Sequence, residues 1–359
     1  MERDRTIVTG GRAEGAHGLA SASDAVPIAR TKTAFTLIME MENGALVPHD
    51  ELVEILAALE RELASPALAT TGSARAQVIF VQEGSPQDGD VLSSMLRTAV
   101  PALATLADVE VMSVPGGRYY ELRNAAVPRA LGELVLFLDS DAVPQPGWLA
   151  KMLAPFEDRT VTLVNGFTAL EHDDFLSRAY ALFWVFPLAR GDERFAAKRS
   201  LNVNNCAFRR AWIAAHPFPD NNGFKVSCSL LWDQIRRDGV VTRRVDALAL
   251  HKPPRGLRFL VWRALVTGRD NDRRYRVLKS TSRPQRLRHS LGRLWTAEWR
   301  SLRRVFGKGR YVGMPIWEQP AAFLLASAFH SLAFFSQVAM AAGLVRDEVE
   351  RLPAYVVRS

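Results

Sequence analysis

Five consecutive apolar residues, Leu134 to Leu138, run without a break into Asp139-Ser140-Asp141. An apolar run this short, with no polar alternation, suits a strand covered on both faces. Pro144-Gln145-Pro146-Gly147-Trp148-Leu149 follows, a turn leading into a helix start. Where the strand ends and the chain turns, two carboxylates two positions apart can converge on one hard cation with oxygen ligands. Magnesium or manganese bridging two phosphates fits that chemistry, because it takes few protein carboxylates and several ligand oxygens. Asp-Ser-Asp alone also suits a solvated turn or a helix cap. The buried strand before it and the Pro-x-Pro-Gly-Trp-Leu after it favour the cation.

The residues before this run repeat the same logic. Ala34–Met41 and Ala76–Gln82 are apolar runs, and Asp108–Val114 reads as a further strand. His49–Leu63 has helical periodicity behind Pro48, and Tyr119–Leu131 is read as a helix. Strand and helix in alternation predict an α/β fold, with a parallel sheet covered on both faces. Ligands of such sheets sit outside the carboxyl ends of the strands. The polar strand ends here are Glu42-Asn43, Gln82-Glu83, Arg118 and the Asp139–Asp141 pair. Two cysteines, Cys206 and Cys228, exclude a disulfide scaffold and a four-cysteine zinc site, and suggest a reducing compartment.

RNAAVPRALGELVLFLDSDAVPQPGWL (Arg123 to Leu149) resembles the central motif of family 2 glycosyltransferases. The resemblance extends to Glu42-Asn43, to the turn Gln82–Ser85, to Asn204–Trp212 and to the strand ending at His251. It covers about residues 33 to 255. It implies a GT-A fold: a Rossmann-like nucleotide-binding sheet followed by an acceptor-binding half. It also implies roles at matching positions. Asp141 holds the metal, Mg2+ or Mn2+; Asp139 sits near the donor's ribose and the metal; His251 completes the metal site. Glu42 and Asn43 grip the nucleotide. Glu83 stands where the family usually has a base-contacting Asp, Arg118 reaches the diphosphate, and Asn124 pairs with the acid loop or serves packing. The usual acceptor-side Glu-Asp has no counterpart, since its place near Ser227-Cys228 lacks a carboxylate. Asp220, after Phe218-Pro219, is the substitute base; Asp233 reads as a surface residue.

The two ends of the chain read differently from this body. Residues 1–30 mix charges with Gly, Ala and Ser and predict a disordered tail. Asp4, Arg5, Arg12 and Glu14 interrupt the place of a signal-peptide core, so none is expected. Net charge is +8, yet residues 252–310 alone carry 18 Lys/Arg against 3 acids. Within residues 256–318, two runs place Leu and Trp on one helical face with arginines between, as in a helix lying in a membrane interface or one packed on its own core. Residues 319–345 carry no charge and are long enough to cross a bilayer, although Ser327, His330, Ser331, Ser336 and Gln337 weaken them as a span. A buried helical hairpin is the alternative. Basic residues beside an apolar stretch suit the anionic cytoplasmic leaflet, so residues 319–346 are read as a membrane-associated or single-span segment and 347–359 as a short tail.

Residues 31–255 are therefore expected to form the GT-A domain of a metal-dependent inverting hexosyltransferase. Its donor would be a nucleotide sugar, UDP-linked, and its acceptor a lipid-linked or cell-envelope glycan, as in polysaccharide biosynthesis. No Gln-x-x-Arg-Trp motif of processive synthases is present, which favours single-sugar addition. No nucleic-acid partner is expected. The competing expectation is a catalytically inactive protein on the same fold that binds a nucleotide sugar or docks on a membrane.

Overall fold

Each short apolar run read as a strand becomes one in the computed structural model, which describes residues 35–66, 76–189, 201–219, 223–253, 255–279 and 281–345. The strands are β1 (Phe35–Glu40), β2 (Ala76–Glu83), β3 (Ala107–Val114), β4 (Leu134–Asp139), β5 (Ala142–Pro144), β6 (Val161–Leu170), β7 (Asn205–Arg209) and β8 (Val241–His251). The helices are α1 (His49–Leu63), α2 (Pro86–Ala99), the single turn α3 (Leu103–Leu106), α4 (Tyr119–Ala126), α5 (Trp148–Leu153), α6 (Phe175–Phe183), α7 (Arg210–Ala215), α8 (Gly223–Arg237), α9 (Gly256–Lys279), α10 (Arg283–Lys308) and α11 (Gln319–Ala342). Asp220, the tail 1–30 and the tail 347–359 lie outside the described residues.

The sheet order is β3-β2-β1-β4-β7-β6-β8-β5. β1 to β4 run parallel, as the alternation of strand and helix predicts. β6 and β8 also pair parallel, but two other strands correct that expectation. β7 lies antiparallel to β4 and β6, and β5 antiparallel to β8. The helix read over Tyr119–Leu131 ends at Ala126 and passes into a 3-10 turn at Val127–Arg129, where Pro128 cannot continue the α-helical hydrogen bonding.

Strand alternation explains why the central runs are apolar throughout. Leu37, Met39, Leu134, Leu136 and Leu138 pack into the core on one face; Ile38, Val135 and Phe137 pack into the core on the other. A third core lies beneath α6, α10 and α11. α11 packs on α9 and α10 as one helix, where a hairpin was the alternative. Its buried positions, including Ala322, Ala326, Phe329, Ala333, Met340 and Ala341, recur every three to four residues. Gly268 on α9 permits the close approach, because a Cβ there would collide with the Ala333 carbonyl.

Candidate active site

β1 and β4 are neighbours in register, so Glu40 and Asp139 end adjacent strands at the same level. Both are buried. The chain turns at Ser140 and returns as β5, which zips onto β8 with Ala142 opposite His251. The Lys252 N–H donates to the Asp141 carbonyl at 2.7 Å and extends that ladder by one rung. This pairing carries His251 across more than a hundred residues of sequence to the acid turn. Its Nε2 lies 3.1 Å from Asp141 Oδ2. Its Nδ1 lies 2.8 Å from the Lys252 carbonyl. Nδ1 donating there leaves Nε2 as a lone-pair donor toward a cation.

One ligand atom each from Asp139, Asp141 and His251 lies within 4.8 Å of the others. Asp141 Oδ1 is buried with no hydrogen-bond partner. Burial pushes the Asp141 carboxyl up to about 6; His251 opposes the shift and Asp139 adds to it. Two carboxylates and an imidazole in a buried cluster, with one oxygen left over, are the donors a hard or borderline divalent ion accepts. The residues fit such an ion.

Asp139 is held from behind. Arg123, fully buried, makes an ion pair with Asp139 Oδ1 and also donates to the Val203 carbonyl. The Tyr119 hydroxyl donates to the same oxygen at 2.6 Å. The guanidinium also lies 4.2 Å from the Tyr119 ring centroid. Burial would lower the Arg123 pKa, but Tyr119 and Asp139 outweigh it and keep the group charged. Sequence reasoning missed this residue. Its signal was a charge on the apolar face of α4, whose buried positions are Tyr119, Tyr120, Leu122, Arg123 and Ala126.

Glu40 was also missed, although FTLIME ends on an acid just as LVLFLD does. Its Oε2 accepts the N–H groups of Glu42 and Asn43 at 2.9 and 3.3 Å, and its Oε1 accepts Asn43 Nδ2 at 3.0 Å. Burial, then the Asp139 charge, pushes its pKa up. Glu40 thus shapes the loop that presents Asn43.

The other sequence candidates fall at different depths. Asn43, Asp139, Asp141 and His251 line one cavity of about 1340 Å³. Glu42 stands close by and accepts the Tyr119 N–H; burial raises its pKa to about 6. Glu83 is exposed at the end of β2, where one carboxylate oxygen accepts the Gly116 N–H at 3.4 Å. Arg118 precedes α4, with its N–H on Glu121 at 3.1 Å. Asn124 makes a reciprocal pair with the Phe218 backbone, at 2.7 and 2.9 Å, and so ties α4 to the segment after α7. Glu42, Glu83, Arg118 and Asn124 are not among the described residues lining the cavity. Asp233, half-buried, pairs with Arg236 on α8 at 3.4 Å. Ser227 and Cys228 occupy α8 where an acid pair was sought, and Cys228 lines the cavity.

The loop behind the acid turn is fixed by buried polar contacts. Glu62 on α1 accepts the N–H groups of Gly147 and Leu149 at 2.9 and 2.8 Å, which caps α5. Gly147 has φ +78°, a conformation that favours glycine. Trp148, fully buried, donates Nε1 to Asn205 Oδ1 at 2.9 Å, and Asn205 in turn donates to carbonyls of β6 and β8. The Pro-x-Pro-Gly-Trp signature therefore anchors the acid turn to four elements.

No curated protein matches this sequence. The family model for glycosyl transferase family 2 matches residues 53–215, a span that contains Asp139 and Asp141 and stops short of His251. Among solved structures, the mannosyltransferase PcManGT from Pyrobaculum calidifontis, in complex with GDP-Man and Mn2+, aligns with a TM-score of 0.50 at 15% identity. The alignment covers 88% of this chain and 87% of that one, more than residues 1–255 alone supply, so it takes in part of the C-terminal helices. Mannosyl-3-phosphoglycerate synthase from Rubrobacter xylanophilus aligns at 16% identity, TM-score 0.44, over 70% of this chain and 76% of its own. Glucosyl-3-phosphoglycerate synthase from Mycobacterium tuberculosis aligns at 20% identity, TM-score 0.39, over 64% and 73%. At these identities the likeness is one of fold. The family match, the GT-A sheet and the acid turn at its strand ends agree: this chain is a glycosyltransferase carrying a family 2 domain.

Proposed function

We propose that the chain is a metal-dependent, inverting glycosyltransferase. It takes a sugar from a nucleoside-diphosphate donor, UDP-linked, and adds it singly to a lipid-linked or cell-envelope acceptor at the cytoplasmic face of a membrane. The observation that carries the reading is the cluster of Asp139, Asp141 and His251, with Asp141 Oδ1 unpartnered. Mg2+ or Mn2+ held there would supply Lewis-acid stabilisation of the leaving diphosphate. Arg123 and Tyr119 hold Asp139 in its orientation. Asn43, fixed by Glu40, stands at the rim for the nucleotide. Inversion follows if the acceptor attacks the anomeric carbon from the face opposite the diphosphate. The retained site argues against the non-catalytic alternative.

Membrane association is supported by where the exposed apolar side chains lie. On α10 these are Leu291, Trp295, Trp299 and Phe306; beyond it they are Ile316, Trp317, Leu324, Phe335 and Leu344. Trp295, Ile316 and Trp317 are 76–83% exposed. The apolar stretch Ile316–Ala342 is long enough to span a bilayer, and 39% of its most apolar window is buried. Its polar residues turn toward the protein. Ser327 donates to Glu298 at 2.6 Å, Ser336 to the Leu265 carbonyl at 2.7 Å, and His330 pairs with Ser301 at 2.8 Å. That leaves an apolar outer face and fits a helix half-inserted in the interface. A panel of nucleotide sugars, screened for thermal stabilisation with and without manganese, tests the donor reading. Stabilisation by one nucleotide sugar only when manganese is present is expected. Equal shifts with manganese and with chelator would count against it.

A further inference from the structure

Lys252 follows directly on β8 and is buried, with 6% of its surface exposed. A buried ammonium is costly unless it is paired. Its Nζ meets Glu54 of α1 and Glu171, the residue after β6, each at 2.7 Å. Two acids therefore answer this one cation, although Lys252 also lines the cavity.

The main chain of the same residue serves the metal ligands. Its N–H donates to the Asp141 carbonyl at 2.7 Å, and its carbonyl stands 2.8 Å from His251 Nδ1. Aromatic rings flank the imidazole as well, with the Phe186 and Trp184 centroids 4.8 and 5.8 Å from its own. Such rings limit where the imidazole can go but do not choose which way its nitrogens point. A hydrogen bond is directional and does choose. The place of the Lys252 carbonyl thus decides whether Nε2 presents its lone pair beside Asp139 and Asp141.

That carbonyl lies just past the end of the backbone ladder. β6 and β8 pair as far as Leu170 opposite His251, and the Glu171 N–H adds a last bond to the His251 carbonyl at 2.9 Å. Pro253 has no N–H with which to continue. Where the ladder stops, the side chain of Lys252 takes over, tied to α1 and to the end of β6. Glu171 fastens both residues, His251 through its N–H and Lys252 through its carboxylate.

Resting on the metal-site reading above, we infer that Lys252 is a positioning residue for the metal: its ion pairs with Glu54 and Glu171 hold the carbonyl that orients His251. Charge alone gives the opposite expectation. An ammonium near a cation site repels the cation, and removing it frees two carboxylates. A Lys252 that acted only through its charge would therefore weaken manganese binding, and its loss would tighten it. A Lys252 that acts as a pin strengthens binding, and its loss weakens it.

The test uses the full chain with manganese alone. Affinity is read from the free-manganese signal in electron paramagnetic resonance, and imidazole coordination from the nitrogen modulation of the spin echo. Lys252→Met is expected to weaken manganese binding by about tenfold or more, the scale seen when the outer partner of a ligating histidine is lost. The nitrogen modulation per bound ion should fall with it. Lys252→Arg keeps a cation that can bridge two carboxylates and should recover most of both signals. Glu171→Gln leaves Lys252 in place and should shift both in the direction of Lys252→Met, so it carries the test if Lys252→Met does not fold. Arg255→Met removes a neighbouring ion pair to α1, with Glu51, and should change neither signal. Manganese binding that is unchanged or tighter in Lys252→Met, or weaker with the nitrogen modulation intact, overturns the inference. Binding that survives Asp141→Ala rejects the metal-site reading beneath it. Binding lost in Asp141→Ala but kept in both Lys252→Met and Glu171→Gln rejects this inference alone.

Discussion

The sheet end and the C-terminal helices treat the same two kinds of side chain in opposite ways. At the sheet end, charge is buried and answered: Asp139 by Arg123 and Tyr119, Asp141 by His251, Lys252 by Glu54 and Glu171. On α10 and after it, large apolar groups are exposed among arginines. The first arrangement is costly unless partners are fixed in advance, and so it marks a site built for an ion and its ligand. The second is costly in water and favourable at an anionic interface. One region is organised around an internal charge; the other presents apolar side chains outward.

The largest effect that would sharpen this contrast comes from Arg123. Arg123→Ala leaves Asp139 buried beside Glu40 without its counter-charge. A loss of about 3–5 kcal/mol is expected in denaturant unfolding, the usual cost of breaking a buried pair from one side. A change under about 1 kcal/mol would mean that the sheet end does not depend on the pair. The helices should respond differently. Trp295→Glu combined with Trp317→Glu should leave unfolding nearly unchanged, because both rings are exposed, while lowering partition onto vesicles rich in anionic lipid by about tenfold or more. Unchanged partition would remove the membrane side of the comparison.

A smaller effect concerns pH. The Asp141 carboxyl is raised to about 6 in the metal-free fold, against an ordinary value near 4. A raised carboxyl favours the folded state at low pH, and that contribution is lost as pH rises from about 4 through about 6. Above that range a cation takes over the task of offsetting the charge; below it, protons compete with the cation. Manganese should therefore raise the melting temperature more at pH 7.5 than at pH 5, by about 2–4 °C for each 1 kcal/mol of extra stabilisation. Equal shifts at the two pH values would argue that the cation binds elsewhere.

Much of this was legible in the residues. The run LVLFLD announced a central buried strand with an acid at its end, and the structure makes it β4, between β1 and β7. The alternation of apolar runs with helical periods announced the parallel half of the sheet. What was not legible depends on pairing across long sequence separations. No local pattern says that Ala142 will stand opposite His251; the family resemblance alone named His251, and this register is what brings it to the acid turn. Arg123 and Glu40 were given no role until the sheet placed them beside Asp139. The polar residues of α11 appeared to weaken a membrane span, and a one-dimensional reading could not tell that Ser327, His330 and Ser336 turn toward α9 and α10. Periodicity finds faces; it does not find what each face meets.

The central claim is that Asp139, Asp141 and His251 form a metal site that holds a nucleoside diphosphate. Calorimetric titration of UDP and of GDP into the full chain, with manganese and with chelator, tests it most directly, alongside the same titrations of Asp141→Ala. The account predicts tight binding of one diphosphate only with manganese, and loss of the metal-dependent part in Asp141→Ala. Equal affinity with chelator and with manganese, or full manganese-dependent binding in Asp141→Ala, would contradict it.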